Sequence, residues 1–594
     1  MSGQPYAVNQ SVRPATLLPE RPEEFRGVAP YLRRLADLER RAAPYRDAWR
    51  TLNEFIHPWS GKYLVSEKDQ ADVFLSANIR NAAVGDAARL CASALHGGLT
   101  SPAKPWFELT HPDDGLMEIP AVKSWMHRAQ ETLRSVLARS NFYSVVSGLY
   151  LEAVIYGTAA MIVDPDPATG VRFRQLTIGE YLLGQGEDLR VNSLYRRLDL
   201  TASQLREKFG LDNPGYTGRA RDAIRRGEGL DDPSFRVIHA MQPAGFFGGR
   251  PNKNFNYESV YFLEDAEEPE GREVLAWRGH RSQPFVAVRW AAAADALYGY
   301  SPGWAALPDD RLLQAMEEDY AAASEASIRP ALTGPSELEP YFRDGGLAPG
   351  LYIPFDAASG KGPAVQPVHQ INYEFGDIRA KIQDTETRLR SRFYNDLFVS
   401  LLFNDKRMTA TEIGQRLEEK AMVLGPMLER FQAELFDPVL DRVFVILYFE
   451  YGLLPPPPPE IGGSDLKIEY LGTLAQSVRL VGLSNLTNSL PIIRELLSID
   501  PSAAVKINIR EAIDEVAIKS NWPPKAIRSD EECQAIEERA AQAEQQKMQM
   551  EQLQALARAG KDAAPLLAGE GGGGGEEAAA AGGLEEMLGG LALE

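Results

Sequence analysis

The stretch that decides the fold reads GDIRAKIQDTETRLRSRFYNDLFVSLLF at residues 376–403, NDKRM at residues 404–408 and TATEIGQRLEEK at residues 409–420. The apolar residues of its first part recur at steps of four and seven: Ile378, Ile382, Leu389, Phe393, Leu397 and Leu401. This spacing predicts one amphipathic helix from Asp377 to Phe403. Thr409 and Glu412 have the spacing of a capping box, which predicts a second helix from Thr409 onward. The sequence therefore predicts a short basic loop between two long helices, an arrangement suited to binding a negatively charged partner.

Outward from this stretch, the chain before residue 160 has a helical pattern. Helices are predicted over residues 30–55 with a kink or interruption at Pro44, over 78–95 with an end at Gly97 and Gly98, over 118–139 and over 140–157. A short strand is predicted at 161–163. From 171 to 290 the period changes to two, which predicts strands at 171–173, 237–239, 260–263, 274–277 and 284–288, with a helix at 202–209. An alanine-rich helix is predicted at 307–328, β segments within 345–367, helical regions at 476–497 and 507–518, and a polar helix at 530–559.

Short motifs occur along the chain in one order: GLTSPAKPWF at 98–107, SNFY at 140–143, YGTAA at 156–160, SPGW at 301–304, FYNDLF at 393–398, MTATEI at 408–413, Arg416, Glu418 and Glu419, Gly425 and Pro426, and Glu434 and Leu435. In residue type and spacing this set resembles the portal protein, or head-to-tail connector, of short-tailed, podovirus-type bacteriophages. The resemblance covers residues 23–559. Read from the residues alone, Trp106 and Phe107 in the first of these motifs are predicted to pack in a core.

The resemblance implies an α+β fold that is mostly α, of the portal type, with a wing, a stem, a mixed α/β clip and a helical crown and barrel, assembling as a ring. The implied segments are an N-terminal arm at 1–25, wing helices at 26–139, a stem helix at 140–160, the clip at 161–300, a second stem helix at 301–330, a wing with long helices and a channel loop at 331–454, the crown at 455–529, a distal helical barrel at 530–564 and a disordered acidic tail at 565–594.

The resemblance also implies a function. The chain would form a dodecameric, ring-shaped DNA channel at one capsid vertex, used in genome packaging, retention and ejection and in tail attachment. Its partners would be copies of itself, double-stranded DNA, the terminase packaging motor, the major capsid and scaffolding proteins and tail adaptor proteins, with no membrane. It would reside in the virion, after assembly in the host cytoplasm.

The predicted site is the channel loop, which the resemblance matches to the loop that faces DNA. Its residues are Asn404, Asp405, Lys406, Arg407 and Met408. In a ring, Lys406 and Arg407 would form a basic collar that touches phosphates, because cationic side chains neutralise phosphate charge.

Composition is that of a folded protein with more than one core. The chain has 594 residues, of which 44% are hydrophobic, and two cysteines, which excludes a disulfide framework and fits a reducing cytoplasm. No apolar stretch of about 18 residues predicts a membrane span, and no signal peptide is indicated. The formal net charge of −20 is unlike that of an ordinary nucleic-acid binder. It suits either an acidic channel wall along which DNA slides or simple solubility.

The sequence predicts no enzyme, no catalytic residue, no cofactor and no metal. It lacks the P-loop, H-E-x-x-H, C-x-x-C and G-x-S-x-G patterns, and its seven histidines are scattered. Asp164 and Asp166 begin an EF-hand-like spacing, but Ala168 and Gln175 occupy ligand positions, so a turn is predicted instead.

Three alternatives remain open at this level. The basic segment with Arg219, Arg221, Arg225 and Arg226 is read as a solvated loop, with a nucleic-acid patch as the alternative. The run Pro455 to Pro459 is read as a stiff spacer, with an SH3 or WW ligand as the alternative. The alternative function is a soluble helical DNA-processing enzyme or scaffold protein of a phage.

Overall fold

The computed structural model describes residues 27–64, 79–117, 119–226, 232–247, 255–264, 274–293, 295–335, 352–355, 366–367, 375–402, 424–461, 466–472, 533, 536, 538–540, 542 and 545–550. The chain divides into two compact units, Met1–Ser484 and Asn485–Glu594. In the second unit the described positions are helical and fall within the polar helix predicted over 530–559. The predicted helical regions at 476–497 and 507–518 lie outside the described residues.

The α-helices of the first unit are α1 (Ala29–Phe55), α2 (Ala83–Leu99), α3 (Asp114–Met117), α4 (Pro120–Arg139), α5 (Phe142–Tyr156), α6 (Ala202–Phe209), α7 (Gly218–Arg226), α8 (Pro302–Ile328), α9 (Phe375–Arg392), α10 (Asn395–Leu402) and α11 (Asp437–Val445). Residues 424–431 are also helical. Two π-helical segments, Gln432–Phe436 and Ile446–Glu450, flank α11, and 3-10 turns lie at Pro58–Tyr63 and Pro459–Ile461.

The strands are β1 (Phe107–Thr110), β2 (Thr158–Asp166), β3 (Gly170–Leu176), β4 (Tyr181–Gln185), β5 (Val191–Thr201), β6 (Ser234–Pro243), β7 (Tyr257–Leu263), β8 (Ala276–His280), β9 (Phe285–Arg289), β10 (Leu332–Pro335), β11 (Tyr352–Phe355), β12 (Gln366–Pro367) and β13 (Lys467–Tyr470). Strands β4 to β8 form an antiparallel meander, and β3-β2-β9 form a second antiparallel sheet. The third sheet, β11-β10-β12, contains a parallel pair, β10 with β11, and β1 pairs with β13. The described fold is mixed α/β and mostly helical, as predicted.

One large hydrophobic core joins α1, α2, α4 and α5 to the β3-β2-β9 sheet and to the helical residues after 424. The last turn of α5 lies deep in this core, since every residue from Glu152 to Tyr156 is buried. Trp106 and Phe107 are buried in the same core, as predicted. A smaller, separate cluster lies under α6 and α7, against β5, β6 and β7.

The predictions for the first two helices differ in part from the structure, since α1 is not interrupted at Pro44, where a kink or an interruption was predicted. Helix α1 runs through Pro44, because Leu38 on one side of the proline and Trp49 on the other are both buried in the main core. That burial offsets the hydrogen bond that proline removes. Helix α2 starts at Ala83 and includes Gly97 and Gly98, which were predicted to end it.

The β-rich segment also differs in part. Strands β4 and β5 were not predicted, because their residues do not alternate between apolar and polar: Tyr195 and Arg196 are adjacent in β5 and both are buried. The turn predicted at Asp164 and Asp166 is the end of β2. The arginine-rich segment predicted as a loop is helix α7, whose Ala220 packs into the smaller core. The helix predicted at 202–209 and the strands predicted at 237–239, 260–263 and 284–288 are confirmed.

Helix α8 begins on the carboxyl end of α5, where helical carbonyl groups have no partner of their own. Ser301 Oγ donates to Ile155 O at 2.8 Å, and Trp304 Nε1 donates to Tyr156 O at 2.9 Å. The backbones approach closely here, since a Cβ on Gly303 would stand 2.4 Å from Ile155 O. The YGTAA and SPGW motifs therefore form the two halves of one joint, which sets the direction of α8.

Candidate nucleic-acid interface

The predicted channel loop, Asn404 to Met408, lies outside the described residues, as does the predicted capping box at Thr409 and Glu412. The structure describes the two arms of chain that lead to this loop. The incoming arm, residues 375–402, contains α9 and α10, and the outgoing arm, residues 424–450, contains α11.

The incoming arm is two helices, so the prediction of one helix from Asp377 to Phe403 is wrong. Tyr394 separates them with a φ of 58°. This left-handed conformation costs a residue with a side chain about 1–3 kcal/mol unless its surroundings hold it. The Tyr394 ring stacks on Trp290 with centroids 6.2 Å apart, and Phe393 and Phe398 are buried on either side. Burial of these rings stabilises the break in the helix.

The outgoing arm meets the same tryptophan. Phe431 is fully buried and lies edge-on to Trp290, with centroids 6.0 Å apart. Its ring also stacks on Tyr150 of α5 at 5.9 Å. Trp290 follows directly after β9, so both arms are fixed to the end of one strand of the main core. Tyr394 before the loop and Phe431 after it are therefore held at one place on the main core.

Glu434 joins the outgoing arm to β9 through a nearly buried arginine. Its carboxylate accepts hydrogen bonds from the Arg289 backbone N–H at 2.9 Å, from Arg289 Nη2 at 2.6 Å and from Arg430 Nη1 at 3.2 Å. The side chain of Arg289 is 7% exposed and that of Glu434 is 19% exposed. Charged hydrogen bonds at such a site are strong, because little water competes for them. Glu434 belongs to a motif noted in the sequence, but no pattern there indicated Arg289 as its partner.

A second arginine, Arg442 of α11, is fully buried. It donates to Val163 O at 3.3 Å, to Ser282 Oγ at 3.3 Å and to His280 Nδ1 at 3.1 Å. Burial, with Arg442 beside it, holds the pKa of His280 well below its ordinary value. The imidazole is therefore neutral, and its Nδ1 accepts a hydrogen bond from the guanidinium. Sequence reasoning missed this residue, because an arginine on an amphipathic helix is usually exposed.

Helix α7 presents the arginines that were noted in the sequence. Arg219, Arg225 and Arg226 are exposed, and Arg225 pairs with Asp212 at 3.3 Å. Arg221 donates to Tyr216 O at 3.2 Å, which ties it to the protein surface. The nucleic-acid alternative for this segment stays a prediction.

A serine and a histidine lie together in the β4–β8 sheet. His239 Nε2 is 2.8 Å from Ser259 Oγ, but His239 Nδ1 accepts from Arg196 Nε at 3.1 Å. Burial, together with Arg196, lowers the pKa of His239 well below its ordinary value, so the ring is neutral. Its proton then sits on Nε2 and is donated to the serine, the reverse of the arrangement that activates a nucleophile.

Across the part of the chain that the structure describes, no group of three or more His, Cys, Asp or Glu residues is arranged to hold a metal ion. Within the same residues, no helix has both the length and the apolar character needed to cross a membrane. Burial raises the pKa of the Cys91 thiol, which therefore stays protonated.

Comparison with known proteins places these features in a family context. The family model described as "Bacteriophage head to tail connecting protein" matches residues 29–527. The chain is 31% identical to the portal protein of Salmonella phage epsilon15 over 523 residues, which is 86% of this chain and 91% of that protein. It is also 31% identical to a probable portal protein of Bordetella phage BPP-1 over 539 residues, 90% of this chain and 94% of that protein.

Solved structures give a weaker likeness. A chain from the virion of a native gene transfer agent particle aligns with 74% of this chain and 90% of its own length. The sequence identity is 12% and the TM-score is 0.30.

Proposed function

This chain belongs to the family of bacteriophage head-to-tail connecting proteins and serves as a portal protein at the connection between head and tail. We propose that identical copies of it close into a ring around a channel for double-stranded DNA. The observation that carries the proposal is the match of the family model to residues 29–527, together with portal relatives aligned over more than four fifths of both chains. A dodecamer is the expected ring.

The proposed DNA contact is the loop Asn404 to Met408, with Lys406 and Arg407 as the phosphate-contacting side chains. The contacts of Tyr394 and Phe431 with Trp290 support this role, since they hold the described chain before and after the loop at the end of one strand of the main core. Two cations per copy add sequence-independent affinity that salt weakens, which suits a contact that must also let DNA slide.

The stem of the ring, as we infer it, is the pair α8 and α9. These helices are antiparallel neighbours: Arg392 pairs with Asp309 near one end, and Phe375 meets Tyr320 near the other, with ring centroids 5.8 Å apart. Helix α5, predicted as the first stem helix, lies inside the main core and has little surface to offer a channel.

The segment between α8 and α9 contains β10, β11 and β12, and on this proposal it would be the clip. Residues 161–300, predicted as the clip, would then belong to the wing with 26–139, since β2, β3 and β9 share the main core with α1 and α2. The arm, crown, barrel and tail segments stay as predicted from the sequence.

The proposed partners are double-stranded DNA, the terminase motor, the capsid and scaffolding proteins and the tail adaptors, met during assembly in the host cytoplasm and then in the virion. The proposed role is structural rather than catalytic. The polarity of the Ser259–His239 pair argues against the enzyme alternative at that site.

Native mass measurement and electron microscopy of the purified chain test the ring. We expect closed particles many times heavier than the 65.6 kDa chain, with a central hole. A single species at the mass of one chain in physiological salt would overturn the proposal.

A further inference from the structure

The exposed surface of α8 is acidic. Glu318, Asp319 and Glu325 are exposed, and none of them makes an ion pair within the residues that the structure describes. Ala315 and Ala322 are exposed between these carboxylates, at steps of three and four that place them on the same side of the helix. Small side chains there let another helix approach closely.

Helix α9, its neighbour, has a basic surface. Its exposed cations outnumber its exposed carboxylates, Asp377 and Asp384. The cations are Arg379, Lys381, Arg388, Arg390 and Arg392. Within the described part of the chain a single ion pair joins the two helices, Arg392 with Asp309. Arg388 and Arg390 pair with Asp384 and Glu386 on their own helix, at 3.7 Å and 3.4 Å. Those pairs are between exposed cations and carboxylates of α9 itself, so they leave the acidic residues of α8 unmatched, and among the described residues Arg379 and Lys381 of α9 make no ion pair.

Apolar side chains accompany the acidic surface. Leu312 of α8 is 43% exposed, and Ile328 at the end of the same helix is 78% exposed. Covering them would contribute roughly 25 cal/mol for each Å² removed from water. The surface therefore combines unmatched carboxylates, small residues and uncovered apolar groups.

We propose that the acidic face of α8 in one copy packs against the basic face of α9 in the next copy. This inference rests on the proposed ring and names its contact surface. A contact between two different faces of the same chain is heterologous, and such contacts close into rings when their rotation divides the circle. The complementarity also answers a physical difficulty, because copies that each carry a net charge of −20 repel one another unless opposite charges meet at the interface.

Charge reversal tests the pairing. The first variant is E318K/D319K/E325K, which makes α8 basic, and the second is R379E/K381E/R388E, which makes α9 acidic. Each variant alone would place like charges against each other at every contact, so we expect loss of closed particles in electron microscopy and native mass. Circular dichroism and melting temperature report whether each variant is folded.

Mixing the two variants in equal amounts is the decisive step. An alternating ring then brings the basic α8 of one variant against the acidic α9 of the other at one contact, and unaltered faces together at the next. We expect closed particles to return, with equal content of the two variants and an even number of chains. The control D47K/D86K/E131K reverses three exposed carboxylates on α1, α2 and α4 and should leave assembly unchanged.

The outcomes separate the two proposals. If the unaltered chain and both charge-reversal variants all form closed particles, the helix pairing is overturned and the ring proposal stands. Folded variants that fail singly and also fail when mixed would likewise overturn it. Absence of closed particles from the unaltered chain would overturn the ring itself.

Discussion

Glu434 is the residue that ties the outgoing arm of the proposed channel loop to the sheet. It is the anionic partner of Arg289, whose side chain is 7% exposed, and it also holds Arg430. Removing one member of a nearly buried ion pair is costly, because the other charge is left without compensation.

The change Glu434→Gln should therefore lower the free energy of unfolding by about 2–4 kcal/mol. Denaturant unfolding followed by fluorescence measures it. Glu429→Gln is the matched control, since Glu429 is exposed on the same arm, and it should shift stability by less than about 0.5 kcal/mol. Equal effects of the two changes would contradict the role given to Glu434.

Glu152 of α5 is a second residue whose properties are set by its surroundings, which shift the pKa of its carboxyl group. Its buried carboxyl accepts from Ser60 Oγ at 2.9 Å and from the Ile178 N–H at 3.3 Å. Burial raises the pKa of Glu152 to about 7; these two hydrogen bonds act against the shift and the nearby Glu180 adds to it. The protonated form is thus favoured by folding.

The sign of the pH dependence follows from this shift. Between the unfolded pKa of about 4.5 and the folded value of about 7, the unfolded state binds fewer protons, so Glu152 makes stability fall as pH rises. Relative to the unaltered chain, Glu152→Gln should gain up to roughly 3 kcal/mol between pH 4.5 and pH 8. Unfolding free energies measured across that range check it, with the exposed Glu207→Gln as the control. Parallel curves for Glu152→Gln and the unaltered chain would refute it.

At the scale of elements, the joint between α5 and α8 sets where the proposed stem points. Gly303 must lack a side chain there, because its Cβ would meet the Ile155 carbonyl at 2.4 Å. Backbone atoms on both sides leave no flexible group that could move aside.

Gly303→Ala should accordingly destabilise the chain by about 1–3 kcal/mol, as expected for overpacking. Thermal unfolding measures this effect. Gly218→Ala is the control, since nothing lies within 4 Å of a Cβ built on Gly218 at the start of α7. If Gly303→Ala leaves the thermal stability unchanged, the backbones of α5 and α8 can move apart, and the contact does not fix the direction of α8.

The arms of the loop illustrate how far elements can be predicted. The apolar stripe of the incoming arm is real, since Ile382, Leu389, Phe393 and Leu397 are buried. The prediction of a single helix is wrong at Tyr394, because stacking on Trp290 stabilises a left-handed backbone conformation there. The spacing of apolar residues carries no information about that conformation. Trp290 is more than 100 residues away in sequence, so no local pattern contains that information.

At the scale of the whole molecule, the proposed channel is mainly acidic with a few basic contacts at the loop. Such a channel would bind DNA at fixed places and repel it elsewhere, so that sliding is not arrested by many simultaneous phosphate contacts.

Reversing the loop charge tests this arrangement. Virions that carry Lys406→Glu and Arg407→Glu should contain normal rings but package or retain less DNA, because phosphates would face carboxylates at the collar. Nuclease-protected DNA per particle is the measurement. The control reverses Lys123 and Arg128, which are exposed on α4. DNA retention equal to that of unaltered virions would remove the assignment of the loop.

The sequence by itself determined the class of fold, the helical and β-rich regions and the family, because periodicity and ordered motifs are local and can be read in the linear chain. Only the tertiary structure decided that Pro44 stays inside a helix, that Tyr394 breaks one, and that Glu434 and Arg442 serve buried charge contacts. These outcomes depend on burial and on partners from distant segments. Their free energies exceed the local preferences that a sequence pattern records.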